Sequence, residues 1–447
     1  MDRKLKIVHI SKELGIGGCN RNIVAICEDM DRAFCHSVVA LYKSGPYEER
    51  LREVGCGVHI LNGDLRLIRE ILQEEGADVV LLHRAGKAER DWCIVLRGCR
   101  EARVKAVLEY NVFSLPDLSP EDEYIDVHLH KSKTSYLQFM QRARKAGYGR
   151  VDRHRVLYNA VQVQRWRQWL LSGEERLFYR KELGLDPDSF VLLRVGRPDV
   201  RKWSDFLMEA IQLIVNRIPK ARMVFVGIPA SRRRWIQRQR WSSACVFLEN
   251  TSDDRRLAIL YQLADVLTHS SRRGETFPNT ILEAFALELP AVVNNTPWRD
   301  NSQIEIVDHM VNGIVVNTPE DYAEAVAFLY REPDVRRSMG AAALEKAQLY
   351  ASERVTRALG RLIVEVLHRK GHAVDALLEA TRDWELYPTR EELEGYPEEY
   401  ERRLKAAWST SPPEKGGTAF RRLRWLARDV IDILGYKLRR GVDSKWI

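Results

Sequence analysis

The chain has 447 residues, 45% of them apolar, enough to fill the cores of two or three globular domains, which excludes a disordered protein. Its 71 basic and 63 acidic residues leave a net charge of +8, which suits nucleic acid, an anionic membrane or a polyphosphate ligand; with no helix-turn-helix, zinc-finger or aromatic RNA-binding pattern, nucleic acid is set aside. Seven cysteines without a C-x-x-C pair read as reduced thiols of a cytosolic protein, and neither a signal-peptide apolar core nor a run of the ~18 residues needed to span a membrane is present.

Short apolar runs at Leu5–Ile10, Ser37–Leu41, Gly57–Ile60, Asp78–Leu82, Val104–Leu108, Ile125–Leu129 and Arg155–Leu157 predict strands. Helical patterns fall between them, at Cys19–Met30, Leu65–Gln73 and Ala88–Arg100. Such alternation predicts a parallel sheet covered on both faces. After the first strand, Lys12–Arg21 (KELGIGGCNR) is rich in glycine and opens a helix. Gly17 and Gly18 there would let the backbone approach a phosphate or sugar closely. His83 ends the fourth run, where a lone histidine serves either packing or a substrate.

A second series of strands is expected at Phe190–Val195, Arg222–Val226, Val246–Leu248, Asp265–Thr268, Ala291–Val293 and Ile314–Val316. The first of these runs into Gly196-Arg197 and, five residues on, Lys202. A guanidinium fork and a mobile ammonium neutralise a departing phosphate without proton chemistry. Further on, Glu275 precedes a Phe277-Pro278-Asn279 turn and a helix carrying Glu283. Pro278 fits the first helical turn, which would leave the Asn279 and Thr280 N–H groups at a positive helix end. Asp186-Pro187-Asp188, an Asp-x-Asp, reads as a turn before a strand, and no zinc spacing is visible.

The run E-x-F-P-N-x-x-x-E-A-x-A, preceded by Gly-Arg-x4-Lys, resembles the signature of retaining nucleotide-sugar glycosyltransferases, in particular glycosyltransferase family four. The resemblance covers about residues 1–370. It implies an α/β protein of the GT-B architecture: two Rossmann-like doubly wound domains, 1–165 and 166–370, facing a cleft. A helical extension, 371–447, would follow. Tyr158-Asn159-Ala160-Val161 matches the crossing between the domains, and Asn312-Gly313 a turn of the second.

The resemblance further implies a metal-independent transfer of a sugar from a nucleotide-diphosphate donor to an acceptor hydroxyl, the anomeric configuration being kept. Arg197 and Lys202 would grip the diphosphate, Glu275 would lie beside the sugar and Glu283 would hold the ribose. Phe277, Pro278, Asn279 and Thr280, with Gly17 and Gly18 opposite, would complete the donor site. His83 would stand near the sugar's 6-position. Relatives often carry a histidine loop where this chain has Asn111, and a glycine where it has Trp203. No cofactor is expected beyond the donor. The acceptor would be a glycan, a lipid-linked sugar or a small molecule, in glycan, glycolipid or envelope polysaccharide synthesis. A sugar-nucleotide epimerase and a non-catalytic sugar-nucleotide-binding scaffold are the other readings of the same residues.

In the tail, Ser411–Gly417 reads as a linker. Phe420, Leu423, Ala427, Val430, Leu434 and Leu438 then recur at helical spacing with arginines beside them. Such a basic amphipathic helix over 420–440 either packs on protein or holds a cytoplasmic enzyme to the inner face of a membrane.

Overall fold

The computed structural model describes residues 4–297 and 299–407. The expected linker and basic helix beyond 410 lie outside the described residues, as does Trp298.

Among the described residues thirteen strands form two parallel sheets. The first sheet holds β1 (Leu5–Glu13), β2 (Phe34–Lys43), β3 (Gly57–Ile60), β4 (Val79–Arg84), β5 (Ala106–Asn111), β6 (Val127–His130) and β7 (His154–Val156). Their order is β3-β2-β1-β4-β5-β6-β7. The second holds β8 (Phe190–Val195), β9 (Ala221–Val226), β10 (Cys245–Leu248), β11 (Val266–His269), β12 (Ala291–Asn294) and β13 (Gly313–Val316), ordered β10-β9-β8-β11-β12-β13. Both are doubly wound, and the central strands are buried along their whole length because helices cover both faces. The strand order reverses beside β1 and beside β8, so the glycine turn and the Gly196-Arg197 loop each leave a sheet at its switch point, where open α/β sheets bind ligands.

The chain crosses between the lobes twice, side by side. The Val161 N–H donates to the Tyr350 carbonyl (3.0 Å) and the Ser352 N–H to the Val161 carbonyl (2.9 Å). The returning helix, Ser352–Arg369, buries Val355, Leu359, Ile363 and Leu367 and packs on the Gly18–Asp29 helix of the first lobe. A β-branched and leucine stripe at 3.6-residue spacing is what makes that helix a tie between the lobes.

The segment after it clasps the lobes together. Tyr396, at the start of the Tyr396–Ala406 helix, is buried. Its hydroxyl meets Thr134 Oγ1 of the first lobe at 2.5 Å and Glu305 of the second at 3.4 Å. Glu305 is 2% exposed and sits at the N-terminus of the Lys133–Ala146 helix, accepting from the Lys133 N–H (3.1 Å), the Thr134 N–H (3.0 Å) and Tyr158 Oη (3.1 Å). A carboxylate from one lobe thus caps a fourteen-residue helix of the other at its positive end. Arg403 adds a 2.6 Å ion pair to Asp308.

Two local expectations are corrected. The helix carrying Glu283 runs Asn279–Phe285, so Pro278 precedes it rather than occupying its first turn. The Asn279 N–H is also not free, since it donates to the Phe277 carbonyl (3.2 Å); proline's fixed φ tightens the turn instead of opening the helix.

Replacing Glu305 with alanine strands the buried Tyr158 hydroxyl and two helix N–H groups. The unfolding free energy in urea should fall by about 3 kcal/mol, with Glu305→Gln losing less. A loss below ~1 kcal/mol would show that the lobes are not tied through this carboxylate.

Candidate functional site

The glycine turn is held by Asn20, whose side-chain amide donates to the carbonyls of Glu13 (2.8 Å) and Gly15 (2.7 Å). Its two glycines face the second lobe. A Cβ at Gly17 would lie 3.4 Å from Arg197 Nη1, and one at Gly18 would come within 2.8 Å of Asn279 Nδ2. Asn279 Nδ2 donates to the Gly18 carbonyl (3.2 Å), while Asn159 Nδ2, at the crossing, donates to Asn279 Oδ1 (3.0 Å). Gly17, Gly18, Arg197 and Asn279 therefore meet across the lobes, and a side chain at Gly18 would have to displace the Asn279 carboxamide.

The loop after β8 is shaped from below. The Trp203 indole N–H donates to the Arg197 carbonyl (2.8 Å), and the ring is fully buried. Above it, 5.2 Å from the ring centroid, lies the guanidinium of Arg194. Arg194 is 1% exposed and donates to the carbonyls of Lys202 (2.9 Å) and Ser270 (2.9 Å). The cation that fixes this loop thus comes from inside β8. An arginine in the otherwise apolar run FVLLRV was the signal for it.

Lys202 Nζ lies 2.5 Å from Glu275 Oε2, and His269 Nε2 lies 3.6 Å from Glu275 Oε1. Burial pushes the Glu275 carboxyl up, but Lys202 and His269 outweigh it and hold the group well below the usual carboxylate range. The Glu275 loop is fastened by its own N–H to Gln303 Oε1 (3.2 Å) and by the Ser302 N–H to its carbonyl (2.9 Å). Gly274 has φ +70°, and a Cβ there would lie 1.2 Å from the Asp300 carbonyl oxygen, so only glycine fits. Residues 300–303 supply this backing.

Phe277 is buried between Tyr158 and Tyr350, with ring centroids 6.1 and 5.8 Å away. Thr280 Oγ1 lies 3.5 Å from His269 Nδ1. Glu283 accepts from Tyr261 Oη (2.9 Å), and Arg21 Nε stands 3.4 Å from it. Burial raises the Glu283 carboxyl despite Arg21. Arg21, from the helix after the glycine turn, also pairs with Asp254 at 2.6 Å and lies over the Trp166 ring. Sequence spacing could not foresee Arg21 and Tyr261 at Glu283.

His83 is the penultimate residue of β4, at its carboxyl end as expected, and hydrogen-bonds through Nε2 to His9 Nδ1 (3.2 Å), which in turn reaches His36 (3.1 Å). Asn111 braces its own loop, closing the 111–115 turn with side-chain bonds to both the N–H (3.1 Å) and the carbonyl (2.7 Å) of Leu115. The sequence showed no metal spacing. Among the described residues the fold does bring ligand atoms of His9, Cys27 and His36 within 4.8 Å of one another. Imidazole hydrogen bonds account for the two histidines and Cys27 hydrogen-bonds Cys56, while the Lys6 charge acting on His36 opposes a cation there.

Residues 189–332, which carry Arg197, Lys202, Glu275 and Glu283, match the family described as Glycosyl transferases group 1. That match lies wholly within the second lobe. The chain is 28% identical to the putative glycosyltransferase EpsD of Bacillus subtilis (strain 168) over 184 residues, 40% of this chain and 46% of that protein. It is 29% identical to D-inositol 3-phosphate glycosyltransferase of Saccharomonospora viridis over 222 residues, 46% of this chain and 49% of that one. The chain thus spans about half the length of the curated relatives it matches. Among solved structures, Anabaena HepE in complex with UDP-glucose superposes with a TM-score of 0.67 at 17% identity, covering 81% of this chain and all of that one. That likeness identifies the GT-B fold, with the group 1 lobe second. No helix among the described residues is long and apolar enough to cross a membrane.

Burial and Lys6 hold His36 at about 4, burial and Lys131 hold His83 at about 3, and burial and Arg194 hold His269 at about 4. Unfolded, each would titrate near 6.5. Between those values the unfolded chain takes up protons that the folded one refuses, so stability falls as pH falls. Each of these histidines removes about 2 kcal/mol by pH 5, opposed in part by proton uptake at Glu283. Urea melts at pH 7 and pH 5 should differ by at least ~3 kcal/mol. Equal stability would mean that the imidazoles are not buried neutral.

Proposed function

We propose that the chain is a retaining glycosyltransferase that moves a sugar from a nucleotide-diphosphate donor to an acceptor hydroxyl. The observation that carries this reading is the Lys202–Glu275 pair, 2.5 Å apart, with His269 behind it and Arg197 facing Gly17 across the cleft. One wall of that cleft offers two cations for a diphosphate, and an ionised carboxylate stands next to one of them for sugar hydroxyls or developing positive charge.

In this reading the anomeric C–O bond breaks and the diphosphate oxygen keeps the electron pair, stabilised by Arg197 and Lys202. The acceptor oxygen attacks the same face, and its proton passes to the departing phosphate oxygen. No side chain needs to act as a base. His269, held neutral, keeps Glu275 aimed without adding charge. Glu283 would receive the ribose hydroxyls, with Arg21 giving way or sharing it. Uridine diphosphate is the first donor nucleotide to test, because HepE is described with UDP-glucose.

Purified protein should release nucleoside diphosphate from a nucleotide sugar in the presence of acceptor, and NMR of the product should show the donor's anomeric configuration. Arg197→Ala and Lys202→Ala should each lower kcat/KM by roughly 100-fold or more and weaken binding of the nucleoside diphosphate. Rates within a few-fold of wild type in both variants would remove these cations from the reaction, and an isomerised donor without glycoside would replace transfer with epimerisation. Glu283→Gln should raise donor KM more than it lowers kcat, since a ribose contact is the same in ground and transition states; a collapse of kcat alone would move Glu283 to the reacting centre.

A further inference from the structure

An apolar groove of about 190 Å³ lies between the first lobe and the segment that clasps it, away from the cleft residues described above. One wall is the Lys133–Ala146 helix, where Tyr136, Leu137 and Met140 fall on one face because they lie one helical turn apart. The other wall is Leu393, Tyr396 and Pro397, from the Arg390–Glu394 helix and the start of the Tyr396–Ala406 helix. Lys133, which also lines the groove, is engaged already: it pairs with Glu399 at 3.2 Å and stands 4.7 Å from the Tyr396 ring centroid. An apolar cavity of ~150 Å³ is enough to take up benzene, so this groove has room for an aromatic ring or a branched aliphatic side chain.

The clasp wall is strongly acidic. Residues 390–401 hold six glutamates and one arginine, and Glu391, Glu392, Glu394, Glu398 and Glu401 are exposed. The opposite charge lies further along the same chain. Between 420 and 440 there are seven basic residues and two acidic ones, beside the apolar stripe that begins with Phe420 and Leu423. Apolar anchors at three- and four-residue spacing are what a hydrophobic groove accepts from a helix. The distance is also right. The Tyr396–Ala406 helix ends ~16 Å from its first turn at 1.5 Å per residue, and the twelve residues 408–419 span ~19 Å as a flexible linker and up to ~40 Å when extended. A tether of that length presents its cargo at an effective concentration on the order of millimolar, so even a weak contact is formed.

We propose that residues 420–440 dock as a helix on this groove of their own chain, with Phe420 and Leu423 between the Lys133–Ala146 helix and Leu393, and with their arginines against the glutamates of 391–401. The basic helix is then a second strap over the first lobe, and its apolar stripe is withdrawn from any membrane. Nothing in this contact depends on the transferase reading.

Hydrogen–deuterium exchange of the full-length protein tests it. Leu137 and Met140 are half-buried, and Leu137→Lys or Met140→Lys would place a like charge where the basic helix docks. In wild type the amides of 420–440 should exchange at least ~10-fold more slowly than in either variant. Added salt should speed that exchange in wild type, since it screens the facing charges. Vesicles of mixed phosphatidylcholine and phosphatidylserine should leave wild type unbound. Exchange over 420–440 as fast in wild type as in an unstructured peptide overturns the proposal, and so does exchange equally slow in wild type and both variants. Vesicle binding by wild type that is lost in Leu423→Asp also overturns it, by giving the stripe to a membrane. Protection that appears only as protein concentration rises overturns it too, by giving the helix to a second copy of the chain. Should both groove variants fail to fold, Leu423→Asp takes their place in the exchange measurement: faster exchange over the rest of 420–440 is expected, and unchanged exchange contradicts the docking.

Discussion

A carboxylate buried beside a lysine organises the second lobe. Glu275 could not stay ionised at its depth without Lys202 and the ring of His269, and Lys202 would not be held there without the scaffolding under its loop. That scaffolding is itself polar and buried: Arg194 inside β8 gathers the carbonyls of Lys202 and Ser270, and Trp203 gathers that of Arg197. On the other side Gly274, Ser302 and Gln303 fix the backbone of Glu275. Desolvating an ion pair is costly, and it is sustained only where hydrogen bonds satisfy the rest of each group. The loops on both sides of the pair are arranged to do that.

The first lobe meets this arrangement through small residues and through charge. Gly17 and Gly18 come against Arg197 and Asn279, while Arg21 reaches Glu283 and Asp254. Arg50 joins Asp254 as well, at 2.6 Å. Behind the cleft, Glu305, Tyr396 and the paired crossings at Val161 and Ser352 hold the lobes at a fixed separation. The polar contacts in the cleft, unlike that apolar and capped back, are the kind a ligand can replace. A donor whose ribose took Glu283 from Arg21 would report its arrival to the first lobe through the same helix that carries the glycine turn.

The strands were legible because most are short apolar runs bounded by turn residues, and two sets of them in alternation with helices specify two doubly wound sheets. Their ends shifted by a few residues, as at His83, which β4 extends past. The chemistry was legible where it lies in contiguous stretches, Gly196–Lys202 and Glu275–Glu283. The partners that fix it were not. His269, Tyr261, Arg21 and Gln303 sit at single positions with no pattern of their own, and they meet the motifs only after the sheets and lobes have formed. Arg194 is the instructive case. It is a charged residue within a buried strand, and that violation of the apolar pattern is the trace a structural cation leaves in sequence.

The most direct test of the proposed donor site is a crystal structure of the full chain soaked to saturation with UDP. The diphosphate should lie between Arg197, Lys202 and the Gly17-Gly18 turn, with Lys202 Nζ within hydrogen-bond reach of a phosphate oxygen and the ribose hydroxyls on Glu283. A nucleotide bound outside the cleft, or an empty cleft at saturating nucleotide with Lys202 still locked on Glu275, would contradict it.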